Sequence, residues 1–126
     1  TTTDNTVKLN QIISNEEIIY YQHLLRRVPI NSSVVEYAVR LAAKTRPGTP
    51  HAHELANQFL NWGAGPRASQ YLVLGSKTHA ILNGKYSPDI EDVKAVAAPI
   101  LRHRIVRNYK AEAESYSIER IIQELL

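Results

Sequence analysis

The sequence predicts an all-α protein, a small bundle of about six helices joined by short connections. Apolar residues recur at helical spacing along most of the chain, whereas no segment shows the sustained alternation of a half-buried strand. Residues typical of helix starts and stops separate these segments. The 126 residues are 44% apolar and 21% charged, which is ordinary for one globular domain.

Ser14 opens the first predicted helix. With Glu17 three positions later it forms the pattern of a capping box, in which each side chain satisfies a backbone N–H of the other. Apolar residues at helical spacing follow from Ile18 to Leu25, and Val28-Pro29 ends the segment.

Asn31 or Ser32 caps the second predicted helix. Its apolar stripe consists of Val34, Val35, Ala38, Leu41, Ala42 and Thr45. Lys44 and Arg46 lie favourably at the negative end of the helix dipole, and residues 47–50, which include two prolines and a glycine, stop the helix.

Residues 51–62 have the spacing of a short helix that Trp62-Gly63 interrupts, so we expect a short helix and a loop. Pro66 then suits the first position of a long helix, with Gly65 as a permissive cap. Asn83-Gly84 provides a left-handed stop.

Ser87 and Pro88 predict the cap and the first position of the next helix, and acidic residues follow in its first turn. Its predicted buried face comprises Ile90, Val93, Val96, Ala97, Ile100 and Leu101. Pro99 predicts a kink or break. After Asn108 we expect a polar link, and Ser117 opens a last amphipathic helix.

Several kinds of chemistry are excluded or disfavoured. The chain has no cysteine, so disulfides and thiolate ligands are absent. His51 and His53 are two residues apart and would point in different directions on a helix, so we expect no metal site. Gly75-Ser76-Lys77-Thr78 lacks the spacing of a phosphate-binding loop, and we interpret it as a solvated face with one small packing residue.

Charge and hydropathy indicate the kind of partner and the cellular compartment that we expect for the protein. Fifteen basic and 12 acidic residues give a net charge of +3, a weak signal for a polyanionic partner. The polar start lacks the features of a signal peptide, and no apolar run could span a bilayer, so we expect a cytoplasmic protein without membrane contact. Because the sequence lacks methionine, we expect residue 1 to lie inside a longer protein.

The most informative segment is Gly63-Ala64-Gly65-Pro66-Arg67. It places Arg67 in the first turn of a helix, where unpaired N–H groups and the dipole already carry positive charge. A cation gains nothing there unless an anion shares the site, and phosphate is the obvious candidate. The other reading is a solvated surface arginine.

Three blocks in order carry a family resemblance: GAGPRAS (63–69), NGKYSPDIEDV (83–93) and APILRHR (98–104). They closely resemble the C-terminal lid of MoxR-type AAA+ ATPases. The likeness extends upstream through 36–46 and downstream through 108–114, and it covers roughly residues 10–126. That family usually has serine where Gly65 stands, which exchanges one helix cap for another.

The resemblance implies that Arg67 is the sensor 2 arginine, which reaches from the lid to the phosphates of a nucleotide. It implies that Gly63, Ala64, Gly65 and Pro66 shape that approach. ATP and Mg²⁺ would be held mainly by a missing ATPase core. The implied partners are that core, neighbouring subunits of a ring and a client protein that undergoes chaperone-like remodelling.

The resemblance therefore predicts a linker from the core at 1–13 and the lid at 14–126. The fragment alone contains no complete active site, and we expect the parent protein to be the ATPase. Two alternatives remain open. One is a helical nucleic-acid-binding module that uses Arg102, Arg104, Arg107 and Lys110, which we do not favour because the net charge is small. The other is a protein-interaction bundle without a nucleotide role.

Overall fold

The computed structural model describes residues 6–126 and confirms the all-α fold class. Within this range there are seven helices and one very short pair of strands. The helices are α1 (Asn15–Arg26), α2 (Ser32–Lys44), α3 (Glu54–Phe59), α4 (Pro66–Leu82), α5 (Ile90–Leu101), α6 (Tyr109–Ala113) and α7 (Ile118–Leu125). The strands are β1 (Leu60–Trp62) and β2 (Val106–Arg107), which pair antiparallel.

Helix α4 is the centre of the fold. It packs most extensively on α5, then on α2, and more lightly on α1. Ala68 and Leu72 of α4 are fully buried against α2 residues Ala38 and Leu41 and against Val93 of α5 in one core. The predicted α2 stripe, which includes Thr45, is buried except for Val35, which is half-buried.

A second group of short elements closes one end of this core. The β1–β2 pair joins the segment after α3 to the segment before α6, and Asn108 N–H donates to the Phe59 carbonyl over 2.8 Å. The rings of Phe59 and Tyr116 stack with centroids 4.4 Å apart. Helix α7 buries Ile121, Ile122 and Leu125 on the same core.

The predicted caps of α1, α2, α4 and α7 are confirmed at Ser14, Asn31, Gly65 and Ser117. Gly84 has φ +75°, as the predicted left-handed stop requires.

The predicted start of α5 was wrong. Asp89 is its N-cap and forms a capping box with Asp92, so Pro88 precedes the cap. The hydroxyl of Ser87 instead donates to the Pro29 carbonyl over 2.9 Å and joins this turn to the segment after α1.

Three further expectations differ from the structure. Pro99 does not break α5, because it lies in the last turn, where Arg102 N–H still donates to the Ala98 carbonyl. The expected polar link after Asn108 contains α6, a helix of five residues that Asn108 caps. Ile90, predicted on the buried face of α5, is 37% exposed at its edge.

Residues 6–13, part of the predicted linker, contain no helix or strand, and its first five residues lie outside the described range. No helix in residues 6–126 has the length and apolar content needed to cross a bilayer.

Candidate functional site

Arg67 lies in the first turn of α4 and its side chain is exposed. The N-cap is Gly65, which has extended backbone and offers no side-chain acceptor, and the first turn contains no acidic residue. Pro66 has no N–H and Ala68 N–H donates to the Gly65 carbonyl over 3.0 Å, so within this turn the N–H of Arg67 is the one without an intrahelical acceptor. Among residues 6–126, no carboxylate forms an ion pair with Arg67. The arrangement is suited to an anion that accepts from both the backbone and the guanidinium.

The loop before Arg67 is held at Ala64 by the end of α2. The Thr45 hydroxyl accepts from Ala64 N–H over 2.9 Å, and Arg46 Nε donates to the Ala64 carbonyl over 2.7 Å. Ala64 and Thr45 are both fully buried. We call these two hydrogen bonds the Ala64 clamp. Because the clamp uses both the backbone N–H and the carbonyl of Ala64, it sets the direction in which the chain enters α4.

Gly63 is required by close approach of two backbones. A Cβ at this position would overlap the Thr45 carbonyl oxygen and come 2.5 Å from Arg46 Cα. Gly65 differs, since a Cβ there would meet nothing within 4 Å. The glycine at 63 thus allows the loop to lie against α2, whereas the glycine at 65 faces open space beside Arg67.

Arg67 also lines an open groove between α2 and α4 with a volume of about 560 Å³. Its apolar residues are Val35, Val39, Val73 and Leu74, with Tyr71 beside them. Arg26 and Lys77 lie in the same groove, and no acidic residue is among its lining side chains within residues 6–126. The groove is therefore positive, with an apolar floor next to Arg67.

Two aromatic side chains near Arg67 are exposed. Trp62 is 71% exposed on β1, and Tyr71 is 45% exposed one helical turn after Arg67. The Arg104 guanidinium lies 4.8 Å from the centroid of the Tyr71 ring and covers it on the α5 side. Tyr71 thus has a role in packing, whereas Trp62 presents most of its ring to solvent.

The other end of α4 is joined to α5 by a buried carboxylate. Asp92 accepts from Lys85 Nζ over 2.5 Å and lies 2.7 Å from His79 Nδ1. Burial disfavours the charged form of Asp92, but hydrogen bonds from Lys85, Asp89 N–H and His79 outweigh it and hold the pKa of Asp92 below its usual range. This network ties the α4–α5 turn and lies at the opposite end of α4 from Arg67.

The basic residues proposed for nucleic-acid binding are occupied within the fold. Arg102 pairs with Glu119 at 3.4 Å, and Arg107 donates to the Tyr116 carbonyl over 3.0 Å. Arg104 covers Tyr71, and Lys110 Nζ lies 5.6 Å from the centroid of the Phe59 ring. Each of the four side chains therefore has a partner within the fold that a phosphate contact would have to compete with.

The remaining motif residues have structural roles. His53 caps α3 by accepting from Leu55 N–H over 3.1 Å, while His51 is exposed in the preceding turn. Gly75 faces α5, because a Cβ there would come 2.8 Å from Ile100 Cδ1. Ser76 is buried and donates to the Val73 carbonyl, so two residues of the Gly75–Thr78 segment pack, where the sequence predicted one.

Sequence reasoning missed Thr45 and Arg46 as residues that position the loop, and Asp92 as a buried ion. Thr45 was assigned to the apolar stripe and Arg46 to the helix dipole. A hydroxyl within an otherwise apolar stripe was the available signal, since a buried hydroxyl needs a partner. The spacing of Asp89 and Asp92 could have indicated the capping box.

Comparison with known proteins places these features in a family context. The model of the AAA lid domain family matches residues 52–125. The chain is 28% identical to the chaperone MoxR1 of Mycobacterium tuberculosis over 116 residues, which are 92% of this chain and 31% of that protein. It is 25% identical to the uncharacterized protein YeaC of Bacillus subtilis, over 94% of this chain and 34% of YeaC.

Among solved structures, the chain resembles the crystal structure of a candidate ATPase from Cytophaga hutchinsonii. The TM-score is 0.81 at 32% identity, and the match covers 91% of this chain and 35% of that one. The chain therefore spans about a third of the length of these relatives.

Proposed function

This chain belongs to the AAA lid domain family, and we propose that it serves as the lid of a MoxR-type AAA+ ATPase in which Arg67 contacts nucleotide phosphates. In this proposal Arg67 is the sensor 2 residue, and residues 63–66 set its approach. Residues 1–13 connect the lid, residues 14–126, to the ATPase core. ATP and Mg²⁺ bind mainly to that core, which residues 14–126 do not supply.

The exposed Arg67, without a carboxylate partner, at a helix start whose N-cap Gly65 provides no side-chain acceptor, is the observation that carries the proposal. Arg102 pairs with Glu119, whereas Arg26 and Arg27 are exposed without a carboxylate partner within residues 6–126, so the distinguishing feature of Arg67 is its place in the first turn of α4. Arg67 has no carboxylate partner within residues 6–126, and its own N–H precedes the first intrahelical acceptor. Phosphate oxygens satisfy both the fork of the guanidinium and this backbone N–H.

The Ala64 clamp connects the proposed contact between Arg67 and phosphate to the rest of the helical bundle. Because Thr45 and Arg46 fix the loop to α2, and α4 packs on both α2 and α5, a force on Arg67 acts on the whole bundle. A nucleotide that binds the core and Arg67 would thus change the angle of the lid as one body. We propose that this motion is transmitted to neighbouring subunits of a ring and to a client protein.

The test is ATP hydrolysis by the full-length protein that contains this lid, with Arg67→Ala compared with wild type. We expect turnover to fall at least tenfold, which corresponds to about 1.4 kcal/mol of lost transition-state stabilisation. Arg67→Lys should recover only part of the rate, because an ammonium cannot make the bidentate contact.

Arg40→Ala is the matched control, because Arg40 is an exposed helical arginine that makes only a long surface pair with Glu36. It should leave turnover unchanged. Circular dichroism and the thermal midpoint should be the same for all three variants. Wild-type turnover in folded Arg67→Ala would remove the nucleotide role and favour a pure protein-interaction bundle.

A further inference from the structure

We propose that the outer face of α1 is an interface for a second copy of this chain, with the two α1 helices packed antiparallel across a two-fold axis. Helix α1 has twelve residues and none of them is buried. A helix of this length gains most of its stability from packing an apolar face. The bundle supplies only part of that packing, since α1 contacts α4 far less than α2 does.

The apolar residues of α1 lie on two sides of the helix. At 100° per residue, Ile18, Tyr21 and Leu25 share one side, and Leu25 is the least exposed residue of the helix. On the other side Ile19 is 54% exposed and Tyr20 is 63% exposed. A helix that is apolar on both sides is typical of one that lies between two bodies.

Charges at the two ends of this outer face indicate which body covers it. Glu16 lies in the first turn and Arg27 is the C-cap. At 100° per residue both positions fall on the side of Tyr20. Neither forms an ion pair within residues 6–126. Each lies about 8 Å along the axis from the midpoint of the helix, one on either side.

This symmetry makes the face complementary to itself. In an antiparallel pair centred between residues 21 and 22, Glu16 lies opposite the partner's Arg27, and Tyr20 lies opposite the partner's His23. The same two contacts recur at the other end, as a two-fold interface requires. Ile19 and Leu24 then lie at the two edges and exclude water from the ion pairs. A parallel pair would instead set Glu16 against the partner's Glu16.

The interface is small. Twelve helical residues span about 18 Å, so the buried area falls below the roughly 800 Å² per partner of standard interfaces. We therefore expect a weak dimer whose population depends on concentration. This face of α1 does not include Arg67 and is separate from the proposed nucleotide contact.

Sedimentation equilibrium of the 126-residue chain up to concentrations of about 1 mM tests the proposal, since interfaces of this size are weak. We expect the wild type to dimerise. Arg27→Glu and Glu16→Arg should each remain monomeric, because either change places two like charges opposite each other at both ends of the interface. Arg40→Glu changes the net charge as Arg27→Glu does, but outside the interface, and should dimerise as the wild type does.

An equimolar mixture of the Arg27→Glu and Glu16→Arg chains provides the decisive result. In the mixed pair both ends again join opposite charges, so a heterodimer should form with near wild-type affinity. This rescue also shows that neither variant was merely unfolded. A monomeric wild type at the highest concentration, or a mixture that stays monomeric while the wild type dimerises, would overturn the proposal.

Discussion

The change Thr45→Val tests the Ala64 clamp directly. Valine keeps the shape of threonine and removes the hydroxyl, which donates to the Ala42 carbonyl over 2.6 Å and accepts from Ala64 N–H over 2.9 Å. The Ala42 carbonyl keeps its backbone bond from Thr45 N–H at 3.2 Å. Ala64 N–H, in a residue with no exposed surface, has no other acceptor among residues 6–126. The variant therefore leaves one buried donor unpaired.

An unpaired buried donor costs about 1–3 kcal/mol. The added methyl group recovers less than about 1 kcal/mol of this, because it replaces a hydroxyl in a site that is already full. We expect the free energy of unfolding to fall by about 1–2 kcal/mol, and the thermal midpoint by about 3–10 °C for a domain of this size. Urea unfolding should show a lower midpoint and an unchanged slope, since the surface exposed on unfolding is the same.

Thr78→Val is the matched control. Thr78 is a half-buried residue of α4 whose hydroxyl only donates, to the Leu74 carbonyl over 3.0 Å, and this carbonyl also accepts within the helix. No N–H loses its acceptor in that variant, so its stability should change by less than about 0.5 kcal/mol. Equal losses in the two variants, or no loss in Thr45→Val, would refute the role assigned to the clamp.

Two predictions concern the loop and the buried ion. Gly63→Ala should lower stability by about 1–3 kcal/mol because its Cβ overlaps the backbone at Thr45, whereas Gly65→Ala, whose Cβ meets nothing within 4 Å, should cost only about 1 kcal/mol or less, because alanine is the poorer N-cap; urea unfolding of both variants measures the difference. Because the pKa of Asp92 is lowered on folding, its stabilising contribution is present above the unfolded value of about 3.9 and is lost as the pH falls through that value and below. Asp92→Asn should therefore reduce stability at neutral pH and flatten its decline between about pH 5 and pH 2, measured by urea unfolding; a decline as steep as that of the wild type would contradict this assignment.

Local signals in the sequence predicted much of the helical architecture. The caps at Ser14, Asn31 and Ser117 are short-range patterns, and each begins a helix in the structure. The β1–β2 pair could not be found in this way, because strands of two and three residues show no periodicity and their partners are far apart in sequence. Helix α6, at five residues, is too short for a helical period to emerge.

The start of α5 shows how competing caps mislead. Both Ser87 and Asp89 are good N-cap residues, and a following proline favoured Ser87. A tertiary contact decides which residue is the N-cap, because the Ser87 hydroxyl donates to the carbonyl of Pro29, which is distant in sequence. Asp89 was then free to pair with Asp92 in the capping box.

At the candidate site, the sequence predicted the helix start that carries Arg67 but not the residues that hold it. The position of Arg67 follows from Gly65 and Pro66, which are its neighbours in sequence. The Ala64 clamp joins residues that are 18 and 19 positions apart, and nothing in their local sequence specifies that pairing. The role of Arg67 in nucleotide binding stays a prediction.

The Ala64 clamp also closes residues 47–63 into one loop whose two ends meet at α2. Both hydrogen bonds lie where the loop closes, and the loop contains α3 and β1, whose Ala56, Phe59 and Leu60 are buried. The exposed turn at Gly48 and Thr49 lies beside Arg46, and Gly48 N–H donates to the Asn57 side chain of α3 over 2.8 Å. A fluorescent tag or an affinity epitope inserted at this turn would therefore disturb a contact close to the clamp, which makes the turn a poor place for either.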